Sequence, residues 1–178
     1  DDSRIVLVLA GYTQDDVTDY TANLKRKIAA SGIDALYIED VVGGRRQTLN
    51  GEKIYSLWDT YVYADFVTYP SLWEGWGNQL LEALRAKLPI MLFEYPVYAA
   101  DIRDKGFRVV SLGSEVVGFD ELGLAQVAPS VIERAADEAV ALLTDHDLRQ
   151  DVVAGNFRLG QQYYSLESLR GYLAPLVR

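Results

Sequence analysis

The sequence has no cysteine and only one histidine, His146, among its 178 residues. Disulfide bonds and thiolate metal sites are therefore excluded, and neither a histidine-based metal site nor a Ser-His-Asp triad is expected. Basic residues are also scarce, because 17 Lys and Arg stand against 26 Asp and Glu and give a net charge of −9. A nucleic-acid partner needs clustered cations to neutralise its phosphates, so this charge argues against one.

Long apolar runs are missing as well. No segment approaches the roughly 18 consecutive apolar residues of a membrane-spanning helix, and no signal-peptide pattern is visible. The sequence therefore predicts a cytoplasmic protein with no transmembrane segment. It starts with Asp1 rather than Met, from which we expect a fragment of a longer protein. What is present is 49% hydrophobic and 24% charged residues, a composition typical of a globular domain with a real core.

Apolar strands alternate with helical patterns along the first two thirds of the chain. The predicted strands cover residues 4–10, 34–38, 65–69, 89–93 and 107–112. The first is a continuous apolar run, as expected of a parallel strand covered on both faces. The first predicted helix starts after Asp15 or Asp16 and ends at Gly32. The second spans residues 51–64, the third starts near residue 78, and the fourth spans residues 97–105. Residues 39–50 show no periodicity and are predicted as a loop.

The last third of the chain is helical. A helix is predicted over residues 129–143, a second follows a cap at Asp145, and a third follows a cap at Ser165. Strands alternating with helices predict an α/β fold with a Rossmann-like, doubly wound parallel sheet, finished by a helical tail over residues 117–178. Since no internal linker or repeat is visible, the sequence predicts one domain over residues 1–178.

The stretch that carries chemistry follows the third predicted strand. Glu74 lies in a loop, and Glu82 lies eight positions later, near the start of a helix. Gly75 and Gly77 allow a tight turn and a close approach to a ligand, and the start of the helix suits a phosphate. Two other interpretations fit the same spacing, namely a plain crossover with two solvated glutamates and an acid/base pair.

The run W-E-G-W-G-N-Q-L-L-E-A-L, with A-D-F-V-T-Y-P-S before it and L-P-I-M-L-F-E-Y after it, resembles the group 1 family of retaining glycosyltransferases. Trp76 stands where that family most often has Phe. The first predicted strand and Gly11 resemble the family's glycine-ended strand, although Tyr12 and Thr13 depart from its second glycine. The tail L-L-T-D-H-D-L-R resembles the family's closing helices, so the resemblance covers nearly the whole chain.

The resemblance implies that the chain is one half of a GT-B fold, the C-terminal domain that holds the nucleotide-sugar donor. Carried over by position, it implies that Glu74 is the catalytic residue that hydrogen-bonds the donor sugar and that Glu82 accepts hydrogen bonds from the ribose. The diphosphate would meet the backbone of Gly75, Trp76, Gly77 and Asn78. No cofactor and no metal ion is implied.

Further donor-binding candidates lie where other predicted strands end, because ligands of open α/β sheets bind beyond the carboxyl ends of the strands. Gly11 and Tyr12 follow the first strand, and Arg45, next to Arg46, follows the second. The competing interpretations are a surface aromatic for Tyr12 and a solvated loop for Arg45.

Trp73 and Trp76 bracket Glu74 and either line the sugar site or pack in the core. Glu94 and Asp101 lie on the next loop.

Two parts of the family pattern are not found in the chain: the Arg and Lys that precede the first strand, and the N-terminal acceptor-binding domain. We therefore expect this chain alone to bind a donor weakly and to transfer little sugar, because charge on the leaving diphosphate would lack its electrostatic partner. The combination of N-G-E-K-I-Y-S-L-W-D, Y-P-S-L-W-E-G-W-G-N and F-E-Y-P-V is most similar to enzymes making mannosylglucosylglycerate-type compatible solutes, which implies GDP-mannose as donor. The alternatives are a nucleotide-sugar epimerase of the same fold and a non-catalytic α/β binding or assembly module.

Overall fold

The computed structural model describes residues 4–10 and 19–176, which form an α/β fold with parallel sheets. Its strands are β1 (Leu7–Leu9), β2 (Ala35–Tyr37), β3 (Val42–Gly43), β4 (Gln47–Leu49), β5 (Glu52–Ser56), β6 (Val67–Tyr69), β7 (Ile90–Leu92), β8 (Val110–Ser111), β9 (Gly118–Phe119) and β10 (Ala125–Gln126). Its α-helices are α1 (Tyr20–Ser31), α2 (Leu57–Tyr63), α3 (Asn78–Ala86), α4 (Pro129–Thr144), α5 (His146–Tyr164) and α6 (Leu166–Leu173). Shorter helical turns lie at Glu39–Val41, Tyr98–Ile102, Arg103–Lys105 and Ala174–Leu176.

The chain divides into two compact units. Unit 1 comprises Asp1–Tyr63 and Val117–Gln126, and unit 2 comprises Ala64–Val116 and Val127–Arg178. In unit 1, β1 pairs in parallel with β2, and β5 pairs in parallel with β3 and antiparallel with β4. In unit 2, the three strands β6, β7 and β8 form one parallel sheet in that order. The α/β fold class and the parallel strands predicted from the sequence are therefore confirmed, while the prediction of one domain stays a prediction.

Two predictions for the middle of unit 1 are wrong. Residues 39–50 are not a plain loop, and residues 51–64 are not one helix, because β4 and β5 form a hairpin and α2 begins only at Leu57. Leu49 pairs with Glu52, so Asn50 and Gly51 form a two-residue turn. Both have positive φ angles, of 51° and 86°. An Asn-Gly pair favours this kind of turn because its backbone twist matches that of the flanking strands.

The helix boundaries of unit 1 are predicted in part. Gly32 ends α1 with a φ of 71°, as expected of a left-handed helix terminus. The capping candidates Asp15 and Asp16 lie outside the described residues. The first structured residue of that helix is Tyr20, preceded by Asp19, which makes no side-chain cap hydrogen bond.

The prediction that residues 4–10 are covered on both faces is also wrong. Val8 of β1 is 47% exposed, and its partner Leu36 of β2 is 52% exposed. Parallel strands need helices on both faces to bury their side chains. Among the described residues of unit 1, the buried hydrophobic side chains are only Ile28, Val42 and Leu124, so this sheet has too little apolar cover to be buried.

Unit 2 contains the hydrophobic core. Helix α3 buries Leu80, Ala83 and Leu84 against the sheet, a spacing that places all three on one helical face. Ile90 and Leu92 of β7 lie in the centre of the sheet and are almost inaccessible to solvent. A second cluster joins the other side of the sheet to the helical tail; its members are Phe93, Val110, Leu112, Ala135, Leu142 and Val152.

The helical tail has the caps that the sequence predicts. The side chain of Asp145 accepts a hydrogen bond from the Leu148 amide at 3.0 Å and begins α5. Ser165 accepts one from the Ser168 amide at 3.1 Å and begins α6. Each cap satisfies an amide at a helix start that has no partner inside the helix.

Candidate functional site

The candidate site lies in unit 2, at the edge where the three parallel strands end. Because β6, β7 and β8 run in the same direction, the segments after Tyr69, Leu92 and Ser111 emerge at one edge of the sheet. The amide of Glu94 donates to the Gly113 carbonyl at 2.8 Å and ties the second and third segments together. This edge is where open α/β sheets bind ligands.

Glu74 is held in place by a side chain of its own loop. The hydroxyl of Ser71 donates to Oε1 of Glu74 at 2.8 Å. The carboxylate is half-buried. A carboxylate has about four acceptor positions, so Ser71 orients Glu74 and leaves it able to accept hydrogen bonds from a ligand.

The turn between Glu74 and α3 rests on the buried ring of Tyr95. The Tyr95 hydroxyl donates to the Trp76 carbonyl at 2.9 Å. Gly77 has a φ of 94°, and a Cβ there would overlap the Tyr95 hydroxyl and lie 2.8 Å from its Cζ. Only glycine combines this backbone conformation with this close approach, so Gly77 is required by the packing of the turn.

Helix α3 begins directly after this turn. Gly77 is its N-terminal cap and offers no side-chain hydrogen bond. The Leu80 amide donates to the Gly77 carbonyl at 3.1 Å, but no side chain caps the amides before it. The positive end of the helix dipole lies at the same place. This geometry suits an anion such as a phosphate.

Three tyrosines line the buried side of this edge. Tyr69 and Tyr95 meet edge to face with ring centroids 6.0 Å apart, and Tyr98 lies 5.9 Å from Tyr95. Burial, with a further effect from the Glu74 carboxylate, raises the pKa of Tyr95 to about 12. Burial and then the neighbouring Glu94 raise the pKa of Tyr98 to about 12. These hydroxyls are therefore neutral donors at physiological pH.

Both predicted glutamates act on the same tyrosine. Burial raises the pKa of Tyr69 well above its usual value, and the Glu74 and Glu82 carboxylates add to that effect. Glu82 lies one turn into α3 and is half-buried. The structure thus brings Glu74 and Glu82, eight positions apart in sequence, to the two sides of one turn.

A second polar cluster follows β7 and β8. Glu94 accepts from the Ser111 hydroxyl at 2.6 Å through Oε1 and from Arg103 at 3.2 Å through Oε2. The Ser111 hydroxyl in turn accepts from the Gly113 amide at 2.9 Å. Glu94 thus holds two loops of the edge together, and Asp101 is exposed.

Comparison with family models finds no match for this chain. Among curated proteins, the chain is 39% identical over 171 residues to a mannosylglucosylglycerate synthase of Thermotoga maritima, a match that spans 96% of this chain. It is 42% identical over 147 residues to a mannosylglucosylglycerate synthase of Petrotoga mobilis, and this match spans 81% of this chain. The chain contains a glycosyltransferase-like domain. It spans only about a third of these relatives, 37% of the first and 32% of the second.

The predicted site residues of this glycosyltransferase-like domain are only partly brought together. Glu74, Gly75, Trp76, Gly77, Asn78 and Glu82 form one continuous turn and helix start in unit 2. Arg45 is exposed in the β3–β4 loop of unit 1. Its neighbour Arg46 is bound by the buried carboxylate of Asp59. Gly11 and Tyr12 lie outside the described residues.

The two tryptophans beside Glu74 have different environments. Trp73 is 74% exposed. Trp76 is half-buried and packs against the core, with its ring 4.8 Å from that of Tyr164 in an edge-to-face contact. The side chain of Trp76 therefore anchors the turn, and its carbonyl is held by Tyr95. Trp73 is the tryptophan whose ring is exposed enough to contact a ligand.

Sequence reasoning missed the residues that support the site. Ser71 carried a usable signal, since a serine three residues before a loop glutamate can reach it in a tight turn. Tyr69, Tyr95 and Ser111 carried none, because each resembles an ordinary strand-end residue. The contacts of the two tyrosines with the turn, and of Ser111 with Glu94, depend on how β6, β7 and β8 align. The sequence thus suggests candidate ligand-binding residues, and the structure adds the residues that hold them.

Two negative findings concern residues 4–10 and 19–176. No helix in these ranges is both long and apolar enough to cross a membrane. The same residues contain no group of three or more His, Asp or Glu side chains placed to hold a metal ion.

Proposed function

We propose that this chain is the donor-binding part of a retaining, GT-B-type glycosyltransferase that moves a sugar from a nucleoside-diphosphate sugar to an acceptor. The single observation that carries the proposal is the turn from Glu74 to α3. It places an oriented carboxylate, a glycine turn and an uncapped helix start at the carboxyl edge of a parallel sheet. Two curated relatives with glycosyltransferase names support the same function.

Each part of the turn suits one part of the donor. Glu74 accepts hydrogen bonds from the hydroxyls of the transferred sugar, because a carboxylate takes several hydroxyl donors and charge-assisted bonds are strong. The backbone amides from Gly75 to Asn78 face the diphosphate at the positive end of α3. Glu82, one turn further along the helix, accepts from the ribose hydroxyls.

For the donor we propose GDP-mannose. Its support is the mannosyl group in the names of the two relatives. In this chain, discrimination between bases would lie with residues other than the Glu74 turn, since the turn contacts only the sugar, the diphosphate and the ribose.

The remaining parts of the reaction belong to the longer protein. The curated relatives are about three times as long as the region they share with this chain. We assign the acceptor site and the cations that neutralise the leaving diphosphate to that remainder, because such neutralisation is a large part of transition-state stabilisation. A cytoplasmic location, where this donor would be met, is part of the same proposal.

A thermal-shift panel tests the proposal. The full chain is heated with GDP-mannose, UDP-glucose or ADP-glucose, and with GDP, UDP or ADP, at equal concentrations. We expect GDP-mannose and GDP to raise Tm most, since a ligand that binds only the folded state stabilises it in proportion to its affinity. A larger shift with uridine or adenosine compounds would reject the guanosine donor, and no shift with any compound would reject nucleotide-sugar binding by this chain.

A further inference from the structure

One buried polar group near the candidate site has no explanation in the fold alone. The Tyr69 hydroxyl is buried and has no hydrogen-bond partner among the described residues. Tyr69 as a whole is only 7% exposed. A buried donor left without a partner costs about 1–3 kcal/mol, so such a group in a folded protein calls for a reason.

Of the charged groups, the carboxylate of Glu74 acts most strongly on the pKa of this hydroxyl. Burial raises the pKa of Tyr69 most, followed by a hydrogen-bonding interaction and then a charge interaction with Glu74, and Glu82 contributes less. Because the Tyr69 hydroxyl nevertheless has no hydrogen bond of normal geometry, its contact with the Glu74 carboxylate is close but too long or too poorly aligned to satisfy it. Glu74 already accepts a hydrogen bond from the Ser71 hydroxyl at 2.8 Å and has acceptor positions left for a second donor. The unsatisfied donor and an acceptor with spare capacity thus lie side by side.

Of these two groups, the tyrosine is held by more contacts. Tyr69 ends β6, which is paired with β7, and its ring lies edge to face with that of Tyr95. A Cβ on Gly77 would lie 3.6 Å from Tyr69 Cε1, so the turn also covers this ring. Glu74, by contrast, is in a loop and is followed by Gly75, which has open space around it.

We propose that Tyr69 is the positioning residue for Glu74, and that its hydroxyl donates to the Glu74 carboxylate when the donor sugar is bound. This inference rests on the proposed function, in which Glu74 receives the sugar hydroxyls. Hydrogen bonds at active sites are often long before the ligand arrives and shorten in the complex. In the bound state, Ser71 and Tyr69 would fix the carboxylate from two sides and leave its remaining acceptor positions for the sugar.

The proposal predicts opposite effects of Tyr69→Phe on stability and on binding. Without ligand, the variant should have a Tm equal to or above that of the unaltered chain, because it removes an unsatisfied buried hydroxyl and keeps the ring. With GDP-mannose, calorimetry should show about tenfold weaker binding, the value of roughly one hydrogen bond to a charged group. Binding of GDP, which lacks the sugar, should be unchanged.

Tyr164→Phe is the matched control. The Tyr164 hydroxyl is also buried and has no partner among the described residues. Its ring contacts those of Trp76 and Phe107, and its pKa is raised to about 12 by burial and then by Asp101, with no contribution from Glu74. Removing this hydroxyl should leave the affinities for both GDP-mannose and GDP unchanged.

The outcomes separate this inference from the proposed function. A Tyr69→Phe variant that binds GDP-mannose as tightly as the unaltered chain, while Glu74→Ala weakens it, would overturn the inference alone. Equal weakening by Tyr69→Phe and Tyr164→Phe would show a general packing effect and would overturn it as well. Failure of the unaltered chain to bind any nucleotide sugar would reject the proposed function together with the inference.

Discussion

Two glycine turns with left-handed backbones differ sharply in what surrounds them. Gly51, in the β4–β5 hairpin of unit 1, has a φ of 86° and open space where a Cβ would lie. Gly77, before α3 in unit 2, has a φ of 94°, and a Cβ there would overlap the Tyr95 hydroxyl. The hairpin turn is thus set by local backbone preference, whereas the turn before α3 is set by buried contacts between distant parts of the chain.

The same contrast holds for the two units. The buried hydrophobic residues of unit 1, counted over the described residues, are Ile28, Val42 and Leu124, and the others belong to unit 2. Unit 2 therefore has the packing needed to hold a turn in one position. A carboxylate that must meet particular sugar hydroxyls needs such a support, because small displacements are costly in binding and catalysis.

The largest effect is expected for Gly77→Ala. A side chain in this left-handed conformation costs roughly 1–2 kcal/mol, and overpacking against a buried group adds roughly 1–3 kcal/mol. We expect the free energy of unfolding in urea to fall by about 3 kcal/mol from these two effects. Gly75→Ala, which has open space and no positive φ, is the control and should cost less than about 0.5 kcal/mol.

A smaller effect is expected for Gly51→Ala, which has the backbone strain without the overlap. The free energy of unfolding should fall by roughly 1 kcal/mol. Gly44→Ala, in open space without a positive φ, is its control and should be nearly neutral. If Gly51→Ala were as damaging as Gly77→Ala, the contrast between a local turn and a packed turn would be rejected.

The sequence predicted well those elements whose signal and packing agree. Helix α3 was found because Leu80 and Leu84 mark a buried face directly after a glycine turn. The caps at Asp145 and Ser165 were found because capping is a local hydrogen bond between near neighbours. In unit 2, local preference and burial point to the same structure.

The hairpin of unit 1 was missed although Asn50-Gly51 is a strong hairpin signal. The apolar residues Ile54, Leu57, Trp58 and Tyr61 match a helical spacing, which favours a helix over residues 51–64. In the structure Ile54 belongs to β5, while the other three residues belong to α2, which begins only after Ser56. Helical spacing over so few residues cannot exclude a strand that passes directly into a helix.

The candidate site residues come from the resemblance, and their supports come from the structure. Glu74, Gly77 and Glu82 are candidates because the resemblance concerns the residues that hold a donor, and their role stays a prediction. The support from Tyr69 and Tyr95 depends on the register of three strands, which no short motif encodes. The residues that position a site are therefore the part that required the structure.

The central claim is that Glu74 and Glu82 bind different parts of one nucleotide sugar, Glu74 the transferred sugar and Glu82 the ribose. Calorimetric titration of the full chain with GDP-mannose and with GDP tests it most directly, in the unaltered form and in the variants Glu74→Ala and Glu82→Ala. Glu82→Ala should weaken both ligands by about tenfold, the loss of one charge-assisted contact with the ribose. Glu74→Ala should weaken GDP-mannose alone, because GDP has no sugar for it to hold. Unchanged affinities for both ligands in both variants would contradict the account.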